Sequence, residues 1–327
     1  MEKIRAAVIG VGYLGRFHAQ KYAQIGGCEL VAVVDPSPEA RDRTAAELGT
    51  RSLADHQVLI GEVDAVSVVT PTPAHFAIAR DFLAGGAHVL VEKPITETLE
   101  EARELIRLAR ERRRVLQVGH LERFNAVVLA AEPYLKAPRF IECNRLAPYR
   151  ERGTDVNVVL DLMIHDIDIV QSIVNASISS IDAIGTPVFS NEIDIANARI
   201  RFDNGCVANV TASRVSMKTE RKLRLFSPQD EAYLSLDLQQ KILTVIRKRA
   251  GAAPAGEVPV SIEERSFDQG DALKAEIESF LGCVRSGGEP VVSGEAGLRA
   301  LETAIRITDQ VQCGRAPGRP PPGTVIE

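Results

Sequence analysis

The apolar run Ala6-Ala7-Val8-Ile9 leads directly into Gly10-Val11-Gly12-Tyr13-Leu14-Gly15, and the residues that follow repeat apolar positions at helical spacing. A G-x-G-x-x-G that closes a strand and opens a helix leaves few alternatives for the surrounding fold. Gly10 permits a tight turn, Gly12 lets the backbone approach a pyrophosphate, and Gly15 lets the helix pack closely on the strand. Tyr13 and Leu14 lie where the helix begins, and its positive dipole end favours phosphate. All five residues are expected to contact a dinucleotide.

From Ile4 to about Gly119, short β-branched runs alternate with amphipathic stretches, the pattern of βαβ units around a parallel sheet. The strands are predicted at Ala6–Gly10, Leu30–Asp35, Ala65–Val69, His88–Glu92 and Val115–Val118. Helices are predicted over Leu14–Gln24, Ala40–Leu48, Pro73–Ala84 and Leu99–Glu111. Beyond Gly119 the texture changes. A helical stretch at Leu160–Ile173 precedes alternating runs at Ile193–Phe202, Val207–Ser213, Lys222–Phe226, Tyr233–Leu238 and Ile242–Arg247, which read as an antiparallel sheet. Asp203-Asn204-Gly205 between two of these runs signals a hairpin with positive φ at Asn and Gly. Ala250–Pro259 reads as a loop, Gly270–Val284 and Glu295–Cys313 as helices, and the Pro/Gly-rich end as extended chain.

The expected fold is therefore α/β: an N-terminal doubly wound Rossmann domain over residues 1–120, then an α+β domain with an open, mainly antiparallel sheet over 121–327. A length of 327 residues suits two cores. Thirty-nine basic against 44 acidic residues give a net charge of -5, which offers no long-range attraction for nucleic acid. Five scattered cysteines without a CxxC pair suggest neither zinc nor a disulfide framework and fit a reducing cytoplasm. The opening Met-Glu-Lys-Ile-Arg runs straight into a strand, so no export signal is expected, and no apolar run reaches spanning length.

Asp35 ends the second predicted strand about 20 residues after the last glycine, where a carboxylate accepts from ribose hydroxyls and repels a 2′-phosphate. NAD is the expected cofactor, with Arg41 and Arg43 the one feature that could favour NADP. Thr70, Pro71 and His75, after the third predicted strand, are placed near the nicotinamide ribose, and Glu92-Lys93-Pro94 after the next. Lys93 there can stabilise an alkoxide as a hydroxyl is oxidised. Asp161 and His165 share one face of an otherwise apolar helix, at a spacing that lets the carboxylate orient the imidazole as a base. Asp168 continues the stripe. No second His or Cys stands at ligand spacing, so no metal is expected.

Taken together, the glycine turn, Asp35, Glu92-Lys93-Pro94, the Asp161/His165 pair and the late Gly294–Glu302 segment resemble the Gfo/Idh/MocA oxidoreductase family. That resemblance implies a Rossmann domain followed by an open sheet domain that often forms dimers or tetramers. It also implies catalytic roles for Lys93, Asp161 and His165 on a substrate hydroxyl; Glu92, at the sheet edge where the nicotinamide is expected, is placed among the cofactor contacts. Two further stretches, Gln117–Asn125 and Asp194–Arg199 with Asn209–Arg214, resemble a narrower subgroup that oxidises the 3-hydroxyl of UDP-N-acetylglucosamine on the way to amide-linked lipid A. On that likeness His120 and Asn125 would contact the sugar, and Arg123 and Arg214 the diphosphate. Other sugar nucleotides, free polyols such as inositol, an NAD-using glycosidase and a non-catalytic NAD-binding regulator are the competing readings.

Overall fold

The computed structural model describes residues 3–134, 137–150, 156–249, 259–268 and 270–314. The predicted loop Ala250–Pro259, except for Pro259, and the Pro/Gly-rich end lie outside these residues. The chain forms two compact units. The first comprises Met1–Phe124 together with Asp271–Leu301, and the second Asn125–Gly270 together with Glu302–Glu327. The sequence boundary near residue 120 is thus close to the first crossing between units, but the segment 271–301, expected in the second domain, clusters with the first.

The first unit is built on β1 (Ile4–Ile9), β2 (Cys28–Val34), β3 (Arg51–Leu53), β4 (Ala65–Val68), β5 (His88–Glu92) and β6 (Leu116–Gly119), all parallel in the order β3-β2-β1-β4-β5-β6. This is the doubly wound order, whose reversal between β1 and β4 creates the ligand crevice at the strand C-termini. Helices α1 (Tyr13–Gln24), α2 (Pro38–Leu48), α3 (His75–Ala84) and α4 (Leu99–Arg112) supply the crossovers. Their ends follow local chemistry: Ser37 caps α2 ahead of Pro38 and Gly49 ends it in the left-handed region, while Thr98 and Glu101 form a reciprocal capping box on α4.

In the second unit, α5 (Ala126–Ala131), β7 (Phe140–Leu146), α6 (Ile164–Val174), β8 (Ile178–Thr186), β9 (Ile195–Phe202), β10 (Val207–Ser213), β11 (Glu220–Ser227), β12 (Ala232–Asp237), β13 (Ile242–Lys248) and β14 (Val260–Ser266) appear in turn. The eight strands form one sheet, β14-β13-β12-β11-β7-β10-β9-β8, antiparallel except where β10 runs parallel to β7. At the β9–β10 hairpin only Gly205 takes positive φ, at +82°. Asn204 instead turns its Oδ1 to accept from the Cys206 N–H at 3.0 Å. The turn therefore is not the primed type with two left-handed residues, and the Asn side chain hydrogen-bonds its backbone two residues on.

Two helices complete the chain, α7 (Ala272–Ser286) and α8 (Gly294–Cys313). Leu273, Ile277, Phe280 and Leu281 of α7 join one apolar cluster with Ala19 and Tyr22 of α1 and with Val8 and Val33 of the sheet. The connection between α7 and α8 covers the β6 edge, where the Val118 N–H donates to Val292 O at 3.0 Å. An edge strand left bare would present unpaired backbone groups. That need explains why 271–301 belongs to the parallel-sheet unit.

Inside the second unit, Arg145 on β7 donates to both oxygens of Asp166 on α6, at 3.0 and 2.8 Å, with both side chains buried. The pair ties the helix that carries His165 to the sheet. Removing one partner leaves a buried charge alone, so Arg145→Ala is expected to lose about 3–5 kcal/mol of stability. Urea unfolding of the variant measures this, and a loss under about 1 kcal/mol would mean the pair is dispensable.

Candidate active site

At the end of β1, Gly10 takes φ +86° and has no room for a side chain, since a Cβ would stand 2.6 Å from Val69 O. A Cβ on Gly15 would lie 1.8 Å from Gly10 O. The turn and the helix start are thus pressed together in a way only glycine allows. Gly12 differs, because a Cβ there would meet no protein atom within 4 Å. Its smallness is not needed for internal packing, which fits the close approach of a phosphate group. No side chain caps the start of α1 and no acidic residue lies in its first turn. Tyr13 and Leu14 stand at this helix start with 69% and 37% exposure.

Asp35 closes β2 and is half-buried. Its Oδ2 accepts from the Val11 N–H at 2.9 Å and its Oδ1 from the Ser37 N–H at 2.8 Å, so the carboxylate is fixed against the glycine turn. Arg41 donates to the Asp35 and Pro36 carbonyls at 3.2 and 3.1 Å, and Arg43 lies 3.7 Å from Glu39. Both arginines thus have partners within their own loop and helix. These features suit an adenosine ribose with free hydroxyls.

His75 is buried, with Nδ1 2.9 Å from Pro94 O and Nε2 2.8 Å from Thr70 O. Burial lowers its pKa, outweighing the two carbonyls that favour the charged form. His75 thus clamps the loop after β4 to the backbone beyond Lys93. Thr70 Oγ1 is buried without a hydrogen-bond partner. Pro71 caps the single turn Thr72–Ala74 that leads into α3.

Glu92 is likewise held within the protein. One oxygen lies 3.1 Å from His18 Nε2, and the other accepts from the Lys93 N–H at 3.2 Å. Burial would raise this carboxyl, but the His18 hydrogen bond and charge, with Lys93 adjacent, hold it below the ordinary carboxylate range. Gly119 on β6 accommodates it, since a Cβ there would lie 2.8 Å from the carboxylate. The Glu92 carboxylate fixes the chain from which Lys93 projects. His18 shows in the sequence only as an inward-facing position at helical spacing from Gly15, and no motif marks Glu276 on α7.

In the second unit, Asp161 sits in a π-helical turn, Val159–Met163, that runs directly into α6. Such turns re-aim side chains and concentrate at functional sites. Asn157 Oδ1 caps the run by accepting from the Val159 and Leu160 N–H groups. Asp161 and His165 are part-exposed on this run, whereas Asp166 and Asp168 are buried. Asp168 therefore continues the stripe into the protein.

Arg214 is 6% exposed. It donates to Asp194 Oδ1 at 2.8 Å and to Val156 O at 2.6 Å. Asp194 also accepts from the Val188, Phe189 and Ser190 N–H groups and from Ser190 Oγ. Burial opposes its charge, yet these donors hold its carboxyl well below the usual range. Arg214 thus supports the segment before Asp161. Asn125 is also internal: its Oδ1 caps α5 and its Nδ2 donates to Leu238 O. His120 is buried at the end of β6, and Arg123 is part-exposed in the turn after it. A separate cavity of about 540 Å³ lies at the opposite, N-terminal end of the parallel strands, beside His88 and Leu116, and is not part of the glycine-turn site.

A doubly wound sheet with this glycine turn and an acid at the end of β2 defines a dinucleotide-binding protein. Residues 4–120 match the oxidoreductase family with an NAD-binding Rossmann fold, and residues 114–229 match the GFO/IDH/MocA C-terminal domain. The chain belongs to the Gfo/Idh/MocA family of NAD-binding oxidoreductases. It is 40% identical over 313 residues to UDP-N-acetylglucosamine 3-dehydrogenase of Acidithiobacillus ferrooxidans, covering 95% of this chain and 98% of that one. A solved structure of that enzyme superposes with a TM-score of 0.89 over 96% of this chain and 99% of the other. The NAD(+)-dependent scyllo-inositol 2-dehydrogenase of Bacillus subtilis is 26% identical, covering 95% of each chain.

Alanine at position 15 is expected to force the glycine turn and α1 apart. Gly15→Ala should lose NAD binding and lower the melting temperature, as read by calorimetric titration and thermal unfolding. Unchanged NAD affinity would show that this contact does not shape the cofactor site.

Proposed function

We propose that this chain is a UDP-N-acetylglucosamine 3-dehydrogenase, oxidising the 3-hydroxyl to a 3-keto sugar nucleotide that a later transamination carries toward amide-linked lipid A. The observation that carries this reading is the similarity to the Acidithiobacillus enzyme along nearly the full length of both chains. Lys93, Asp161 and His165 are assigned to the reaction. His165 accepts the proton of the reacting hydroxyl, a task suited to imidazole at neutral pH. Asp161 orients that ring and favours its charged form. Lys93 stabilises the developing alkoxide. Bound NAD supplies the two-electron acceptor. Gly10, Gly12, Gly15 and Asp35 hold the cofactor, while His120 and Arg123 are assigned to substrate.

The setting we infer is the cytoplasm. All five cysteines are free thiols, three of them buried, as suits a reducing compartment. No helix among the described residues is long and apolar enough to cross a membrane. We also infer a homodimer or homotetramer formed through the second unit's sheet. One face of that sheet carries the buried Ile141, Val210, Leu225 and Leu234. The other carries side-chain pairs such as Asn197 with Thr211 and Arg199 with Asn209. Sedimentation or native mass spectrometry reads the assembly directly, and a monomer at micromolar concentration would remove this inference.

The test of activity mixes protein, NAD and UDP-N-acetylglucosamine, with an aminotransferase and glutamate to trap the keto product, and follows NADH and product mass. The expected product is two hydrogens lighter than substrate, or its trapped amine. Turnover of inositol, glucose or UDP-glucose instead would move the assignment to another dehydrogenase of the family. Sugar cleavage without net NADH would favour a glycosidase, and NAD binding without any turnover a regulator. In the active enzyme, His165→Ala is expected to lower kcat by roughly 10²- to 10⁴-fold with NAD affinity nearly unchanged. Full turnover by that variant would remove His165 from the mechanism.

A further inference from the structure

Behind Lys93, the Rossmann unit contains an ionisable cluster that the assigned chemistry does not use. His18 on α1, Glu92 at the end of β5 and Glu276 on α7 each bring one side-chain atom within 4.8 Å of the others; His18 and Glu276 are buried, and the Glu92 side chain is only 12% exposed. Glu276 is 0% exposed, and neither of its carboxyl oxygens has a hydrogen-bond partner. Gln117 reaches α7 at this point, but its Nε2 donates to the Glu276 backbone carbonyl and not to the carboxyl group. His18 and the Lys93 N–H both turn to Glu92 instead.

Two carboxylates this close in a dry interior cannot both ionise cheaply, and the one with hydrogen-bond donors keeps the charge. Glu92 has the donors and Glu276 has none. We propose that Glu276 is a resident neutral carboxylic acid, which leaves a single negative charge on Glu92 and makes Glu276 and His18 positioning residues for Lys93. Ionisation of Glu276 would set a second charge against Glu92 and loosen the carboxylate that holds the Lys93 backbone.

The surrounding groups agree. From α1, His18 and Tyr22 face this region, and Tyr22 is held to Ser67 at 2.8 Å with its phenol kept protonated by burial. At the start of α7, Lys21 pairs with Asp271 at 2.6 Å and therefore does not serve Glu276. From α3, His75 is clamped to backbone carbonyls. The turn 121–124, which packs on α7, carries Glu122 and Arg123, both part-exposed. Burial, and then the neighbouring Glu92 charge, raise the Glu276 carboxyl well above its usual range.

A carboxyl raised on folding contributes stability that is complete below the unfolded value and is lost as pH rises toward the folded one. Gln at position 276 imitates the neutral acid and takes up no proton. In full-length protein, Glu276→Gln should therefore melt progressively higher than wild type as pH rises from about 5 to 8. A Gln variant that melts lower across this range would overturn the proposal, because Glu276 would then be working as an anion. One equivalent of first-row metal in the purified protein, lost in the Gln variant, would overturn it too.

The positioning role rests on the assignment of Lys93 under the proposed function and has its own readout. Glu276→Gln should retain most turnover, whereas Glu276→Ala should lose kcat by up to about 10²-fold with KM for NAD little changed. Equal loss in both variants would remove the positioning role. The melting and metal measurements need no substrate, so they stand even if the sugar assignment fails.

Discussion

The contact on which the first unit depends is the approach of Gly15 to Gly10. With no Cβ on either residue, α1 can descend onto the end of β1 until the two backbones touch. That seating directs Ala19 and Tyr22 into the apolar cluster and turns His18 toward the end of β5. His18 meets Glu92, and Glu92 in turn holds the Lys93 amide. A motif usually described as a phosphate cradle thus also fixes the backbone of the residue assigned to the reacting oxygen.

The second unit solves a similar problem with charge pairs. Its π turn and α6 must present Asp161 and His165 while burying most of an apolar helix. Arg145 with Asp166 anchors the helix to β7, and Arg214 with Asp194 supports the segment that enters it. Buried pairs of this kind add little net stability compared with apolar packing, but losing one member is severe. Their contribution is to define one position for the helix, with the part-exposed Asp161 and His165 as its presented groups.

Much of the architecture was legible because burial leaves periodic traces. The two-sided burial of the parallel strands shows as apolar runs, and β10 and β5 match their predicted limits residue for residue. The unannounced strands have physical reasons to be obscure. β7 places Arg145 at a buried position, β14 is almost wholly exposed, and β8 shifts register between Ile178 and Ser180. β3 is only three residues long. The return of 271–301 to the first unit could not be read locally, because it answers the exposed edge of β6 some 150 residues earlier in the chain.

For the site, residue type shows in the sequence more directly than the partner each residue finds. Gly10, Gly15, Asp35 and Lys93 stand where the motif logic puts them, since backbone geometry and strand ends determine their places. Arg214, Asn125, His75 and Glu92 are polar, near the right elements, and were expected to meet ligands. Each also makes hydrogen bonds within the protein. A buried polar side chain must find a partner whether or not a ligand exists, so polarity in an apolar segment marks a demand for hydrogen bonds before it marks chemistry. Glu276 is the exception that gives the rule its use. Its carboxyl group is buried as deeply as any of these and has no donor, so the proton it retains is the partner that the fold withholds.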